Sequence, residues 1–90
     1  MIAMYIDKGY LLRLVLNGHK IEDQNERRRH IDKIRRYLLS LLPDDCDPRI
    51  KYTVEVYAEV IAKTAIVDEI LMLINELDRI ISLNYRNKKI

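Results

Sequence analysis

Arg27, Arg28, Arg29, Lys33, Arg35 and Arg36 fall within ten residues of the stretch "NERRRHIDKIRRYLLSLLPDD", residues 25–45. Guanidinium groups at that density can hold a carboxylate or phosphate through paired N–H donors, or they can form the solvated back of an amphipathic helix. Setting Ile31 at zero and stepping ~100° per residue separates the two roles. The apolar series Ile31, Ile34, Leu38, Leu41 and Leu42 makes one stripe, and Arg29, Lys33 and Arg36 point away from it. Arg28 and Arg35 fall on the shoulder of the stripe with Asp32 between them, and Arg27 falls on the stripe itself, one turn before Ile31.

An arginine in or beside an apolar stripe loses hydration and needs a partner. Internal candidates are Glu55, Glu59, Asp68 and Glu69, from the same chain or from another copy. The external candidate is an anion held between helices, with Arg27, Arg28 and Arg35 as its donors and His30, Tyr37 and Tyr57 as stacking or hydrogen-bonding walls. Nucleic acid, a nucleotide or another small carboxylated or phosphorylated ligand, and an acidic protein surface all fit that chemistry.

Other constellations are missing. His19 and His30 have no cysteine or acidic set at zinc-ligand spacing. Asp44, Asp45 and Asp47 crowd a turn but lack the central glycine and distal glutamate of a calcium loop. There is no phosphate-cradling glycine loop, and neither Ser40 nor Cys46 has a positioned base. The residues therefore predict a binding protein with no metal and no cofactor rather than an enzyme.

The elements that must position these residues follow from composition and punctuation. Ninety residues with two Gly, two Pro and 49% hydrophobic residues form a single helical domain, 1–90. A chain of this size buries only ~60–65% of its unfolded surface, so an oligomeric partner would help it. Asp7 is a candidate cap for a short first helix ending at Asn17, with Gly18 in a left-handed closing position. Asp23 or Asn25 begins the basic second helix, which ends before Pro43. Asp47 followed by Pro48 begins a third, because a capping carboxylate precedes the residue that needs no N–H.

No Gly or Pro occurs from 49 to 90, so the third helix is predicted to run to about Asn84. Its apolar series changes face on the way. Ile50, Val54, Tyr57 and Ile61 make one stripe; Ile66, Ile70, Leu73, Leu77 and Ile80 make another, rotated by roughly 140° because five residues separate Ile61 from Ile66. Val56, Val60, Val67, Leu71 and Ile74 occupy a further side, so the middle of the segment is apolar nearly all round. Either the helix breaks between Lys63 and Asp68 and folds back, or it stays long and its distal stripe packs on a second copy. The lack of a helix breaker favours the long helix, and hence an all-α oligomeric bundle with Ile66, Ile70, Leu73, Leu77 and Ile80 at the interface.

Charge is uneven along the chain: residues 1–42 carry nine Lys or Arg against five Asp or Glu, residues 43–84 carry four against nine, and the tail 85–90 adds three cations. The halves could neutralise one another, and the tail could add a contact to an anion. One cysteine leaves no internal disulfide, which suits a reducing compartment such as the cytoplasm. The N-terminal residues lack a basic leader, and no run of ~18 uninterrupted apolar residues suggests a membrane span.

The stretch "RRHIDKIRRYLLSLL", from Arg28 to Leu42, resembles the first helix of the all-helical chorismate mutases, in which an Arg is followed three residues on by Ile-Asp and then by Leu pairs. The resemblance implies that Arg28 binds a carboxylate of a small metabolite. It covers fifteen residues and stops at Pro43, where those enzymes continue with further basic residues and this chain has "DDCD". The reading that the residues carry furthest is a small regulatory or accessory protein, of the kind found in phages and plasmids, that assembles with itself and engages an anion or acidic partner. A nucleic-acid-binding helical dimer and a chorismate-mutase-like enzyme are the alternatives.

Overall fold

A computed structural model describes residues 5–88, with side chains described for residues 5–84. The side chains of the basic tail, residues 85–90, therefore lie outside the described residues. Four helices follow one another: α1 (Lys8–Gly18), α2 (Gln24–Leu39), α3 (Pro48–Lys63) and α4 (Val67–Lys88). No strand occurs among the described residues.

Local chemistry sets most of the boundaries. The Asp7 carboxylate accepts from the Tyr10 amide, Asp23 from Asn25 and Asp47 from Arg49, so each of the first three helices opens on an aspartate. Pro48 occupies the first turn of α3, where its missing N–H leaves nothing unsatisfied. Arg49 also donates through its side chain to Asp47, which holds that carboxyl below its ordinary value. At the end of α2, Leu41 and Leu42 lie in a turn beyond the helix, with their amides bonded to the Leu38 and Leu39 carbonyls.

Two predicted helix boundaries are corrected. Gly18 is the last residue of α1 and has no positive φ; it does not close the helix in the left-handed region. The predicted third helix is two helices, broken at residues 64–66 without Gly or Pro. Thr64 turns extended, with φ −81° and ψ 131°, and its hydroxyl returns to the Val60 carbonyl at 2.7 Å. The Ile66 carbonyl accepts the first α4 bond, from Ile70 at 3.0 Å, and Asp68 and Glu69 follow in the positive first turn. The break resolves the rotation of the apolar stripe: a straight helix could not aim both Ile61 and Ile70 at one core, and both are 0% exposed.

The core is aliphatic. Leu11, Ile34, Leu38, Val54, Ala58, Ile61, Ile70, Ile74, Leu77 and Ile81 are all within 1% of complete burial, and among the described residues no polar or charged residue is buried. α2 packs most extensively on α3; α1 packs on α2, α3 and α4, and α3 on α4; among the described residues no α2 Cα comes within 8 Å of an α4 Cα. The helices thus form a flattened rhombus with α1 and α3 across its short diagonal, giving extents of 45 × 27 × 16 Å. No described helix is long and apolar enough to cross a membrane.

Of the stripe assigned to a second copy, Ile70 and Leu77 enter the chain's own core and Leu73 packs against it, while Ile80 is half-buried. Ile66 stands at the turn, 57% exposed. The fold-back makes this change, because α4 returns its inner stripe to α1 and α3. Val56 and Val60, expected inside, are exposed on the outer side of α3.

Candidate functional site

The basic helix α2 occupies one corner of the rhombus, with Ile34 and Leu38 turned inward and its cations outside. Arg28, on the shoulder of the stripe, reaches Glu59 of α3 at 3.4 Å. Glu59 also receives Lys63 at 3.4 Å, so the same carboxylate offsets two cations. Arg35 turns back along α2 to Asp32 at 3.1 Å. Among the four carboxylates expected to answer the arginines, only Glu59 does so, because Asp68 and Glu69 lie on α4 at the opposite corner.

The remaining cations behave differently. Arg27, Arg29, Lys33 and Arg36 are exposed, and among the described residues none has a carboxylate within 4.0 Å. Arg29, Lys33 and Arg36 lie at successive turns on one side of α2, about 10 Å from first to last at 1.5 Å per residue. Arg27, expected on the apolar stripe, escapes burial because the first turn of α2 extends past the core. With Arg28, Gln24, Asn25 and Ile31 it borders an open cleft of about 420 Å³ beside that first turn.

The three predicted walls of a ligand groove are occupied by the fold. His30 bonds through Nε2 to the Leu14 carbonyl, and the carbonyl can only accept, so Nε2 carries the proton. Its ring lies against the backbone of α1 at Gly18. The Tyr37 hydroxyl accepts from the Asp7 amide at 3.0 Å, and its ring meets Tyr10 edge to face at 5.1 Å. The Tyr57 hydroxyl donates to Glu76 of α4 at 3.2 Å, and burial together with the negative Glu76 raises its pKa above the ordinary value. Arg27, Arg28 and Arg35 do not converge with these rings. Arg28, the carboxylate binder that the chorismate-mutase resemblance would imply, has its side chain 68% exposed.

A residue that sequence reasoning missed is Asp78. From α4 its Oδ1 accepts from the backbone amides of Tyr5 and Ile6, at 3.0 and 2.9 Å, and ties the segment before α1 to the last helix. Nothing local marks an aspartate 72 residues away as the receptor for those amides. Cys46 is half-buried, and burial first, opposed by Lys51, raises its thiol above the ordinary range. Among the described residues no three His, Cys, Asp or Glu side chains gather to hold a metal ion.

The chain matches no protein-family model, no curated protein and no solved structure.

Proposed function

We propose that this chain is a small non-enzymatic binding protein of regulatory or accessory type, working in the cytoplasm, that engages an acidic surface of a partner protein through the outer face of α2. The observation that carries this reading is the division among the cations. Arg28 and Arg35 have carboxylates at 3.4 and 3.1 Å, whereas Arg27, Arg29, Lys33 and Arg36 have none within reach among the described residues. A row of exposed cations on a convex helix suits an extended anionic surface better than a small metabolite, which needs converging walls. The predicted walls are engaged elsewhere: His30 with Leu14, Tyr37 with Asp7 and Tyr57 with Glu76.

The test is fluorescence anisotropy with a labelled polyglutamate peptide and a labelled DNA duplex, at low and at physiological salt. The wild-type chain is compared with the triple variant Arg29→Glu, Lys33→Glu, Arg36→Glu, its fold checked by circular dichroism. The reading expects peptide binding that weakens with salt and vanishes in a folded variant. Duplex binding stronger than peptide binding, with a log–log salt slope near −3 for three cations, would replace the acidic protein with nucleic acid. Binding of neither probe would overturn the reading.

A further inference from the structure

We infer that the outer face of α4 is a homodimer interface, in which a second copy of the chain lies antiparallel across a two-fold axis that passes between residues 77 and 78. The inference is independent of the anion reading. Met72, Glu76, Arg79 and Leu83 follow a 4-3-4 spacing, which places all four within about 60° of one another on the helix. All four are exposed, Met72 by 64% and Leu83 by 48%, on the side opposite the buried Ile70, Ile74, Leu77 and Ile81.

The stripe is its own complement when reversed. Against an antiparallel copy Met72 meets Leu83 and Glu76 meets Arg79, and the two-fold repeats each contact. A parallel pairing would instead oppose glutamate to glutamate and arginine to arginine. Arg79 has no carboxylate within 4.0 Å among the described residues, so its charge is available to another chain. Glu76 already receives Tyr57 on one oxygen, a neutral donor that leaves the carboxylate its charge.

A receptor for the apolar end lies beside the stripe. Val60, Thr64, Glu69, Met72, Leu73 and Glu76 line a predominantly apolar cleft of about 320 Å³ between α3 and α4. Under the proposed symmetry the copy's Leu83 arrives over Met72, at the edge of this cleft. Val60, 45% exposed although it was expected inside, gains cover there. Because the α2 and α4 backbones stand apart among the described residues, a dimer formed through the outer face of α4 keeps both basic α2 faces open.

The experiment is sedimentation equilibrium of the wild-type chain, Glu76→Arg, Arg79→Glu, the double reversal and Leu83→Asp, from ~1 µM to ~1 mM. The wild type is expected to approach twice its 10.8 kDa mass with rising concentration. Each single reversal should weaken the dimer about tenfold, and the double reversal should return it to within about threefold of wild type. Leu83→Asp should remain monomeric. Tyr57→Phe, which removes the other contact of Glu76, should leave dimerisation unchanged. A wild type that stays monomeric throughout overturns the inference, as does an assembly indifferent to the charge reversals. Polyglutamate binding by the folded α4 variants separates failure here from failure of the α2 reading.

Discussion

The His30 ring fills the space that a side chain at residue 18 would need: a Cβ on Gly18 would stand 2.6 Å from His30 Cδ2 and 3.1 Å from Nε2. The first crossing of α1 and α2 is therefore built on a missing methyl group, with the imidazole hydrogen-bonded to the Leu14 carbonyl one turn back. Gly18 is buried, in the last turn of α1, with ordinary helical handedness.

Gly18→Ala should destabilise the chain by about 1–3 kcal/mol through overpacking. At an unobstructed helical position the same change would stabilise by up to about 1 kcal/mol, because Gly is the poorer helix former. The sign thus reports the ring contact. In urea denaturation, Gly18→Ala combined with His30→Ala should fall short of the sum of the single losses, since the second change empties the space the first one needs.

Asp78 should matter far more than its position on α4 suggests. Its carboxylate accepts two backbone amides and holds Ile6, 2% exposed, in the core. Asp78→Ala should remove about 1.5–3 kcal/mol, the range for hydrogen bonds to a charged group. Hydrogen exchange at Tyr5 and Ile6 should accelerate selectively. Asp78→Asn keeps an accepting oxygen and should lose less. Equal losses in the two variants would mean that the amides are not what the carboxylate serves.

The break between α3 and α4 can be probed with proline. Val67 is the first residue of α4, where proline is tolerated, whereas inside a continuous helix it would cost about 3 kcal/mol. Val67→Pro should therefore unfold within about 0.5 kcal/mol of wild type, the usual range for a surface substitution. A loss near the helix-interior value would restore the straight helix.

Tyr57 should be a late-titrating tyrosine. Its pKa is raised above the ordinary value of 10.0, first by burial and then by Glu76. The folded value exceeds the unfolded one, so its contribution is complete below about pH 10 and is lost as pH rises through the folded value. Ultraviolet difference titration should show a high-pH component that Tyr57→Phe removes. The loss of stability above about pH 10 should shrink in the same variant.

Much of the candidate site could be read in the sequence because helical periodicity alone assigns faces. Ile34 and Leu38 go inward, and Arg29, Lys33 and Arg36 go outward. The pairing of Arg35 with Asp32, three residues back on the same helix, is local, but the sorting of Arg27 and Arg28 could not be read that way. It depends on where Glu59 comes to rest beside α2, and on the first turn of α2 projecting beyond the core. His30, Tyr37 and Tyr57 have the right chemistry for walls. Their actual partners, Leu14, Asp7 and Glu76, are 16, 30 and 19 residues distant.

The sequence by itself determined the all-helical class, the Asp7 and Asp47 caps, a second helix that opens at Asp23 or Asn25 and stops short of Pro43, and the two apolar stripes of the C-terminal half, because caps and periodicity act over a few residues. One local clue to the break was also present: β-branched Thr64, Ile66 and Val67 lead into the acidic pair Asp68 and Glu69, a weak helix interior followed by a good first turn. Only the tertiary structure decided that the chain turns there, with Ile70 and Leu77 in its own core and Val56 and Val60 outside. Folding back packs the α3 stripe against α1 and α2 and the α4 stripe against α1 and α3, and that gain belongs to the whole packed bundle rather than to any one segment.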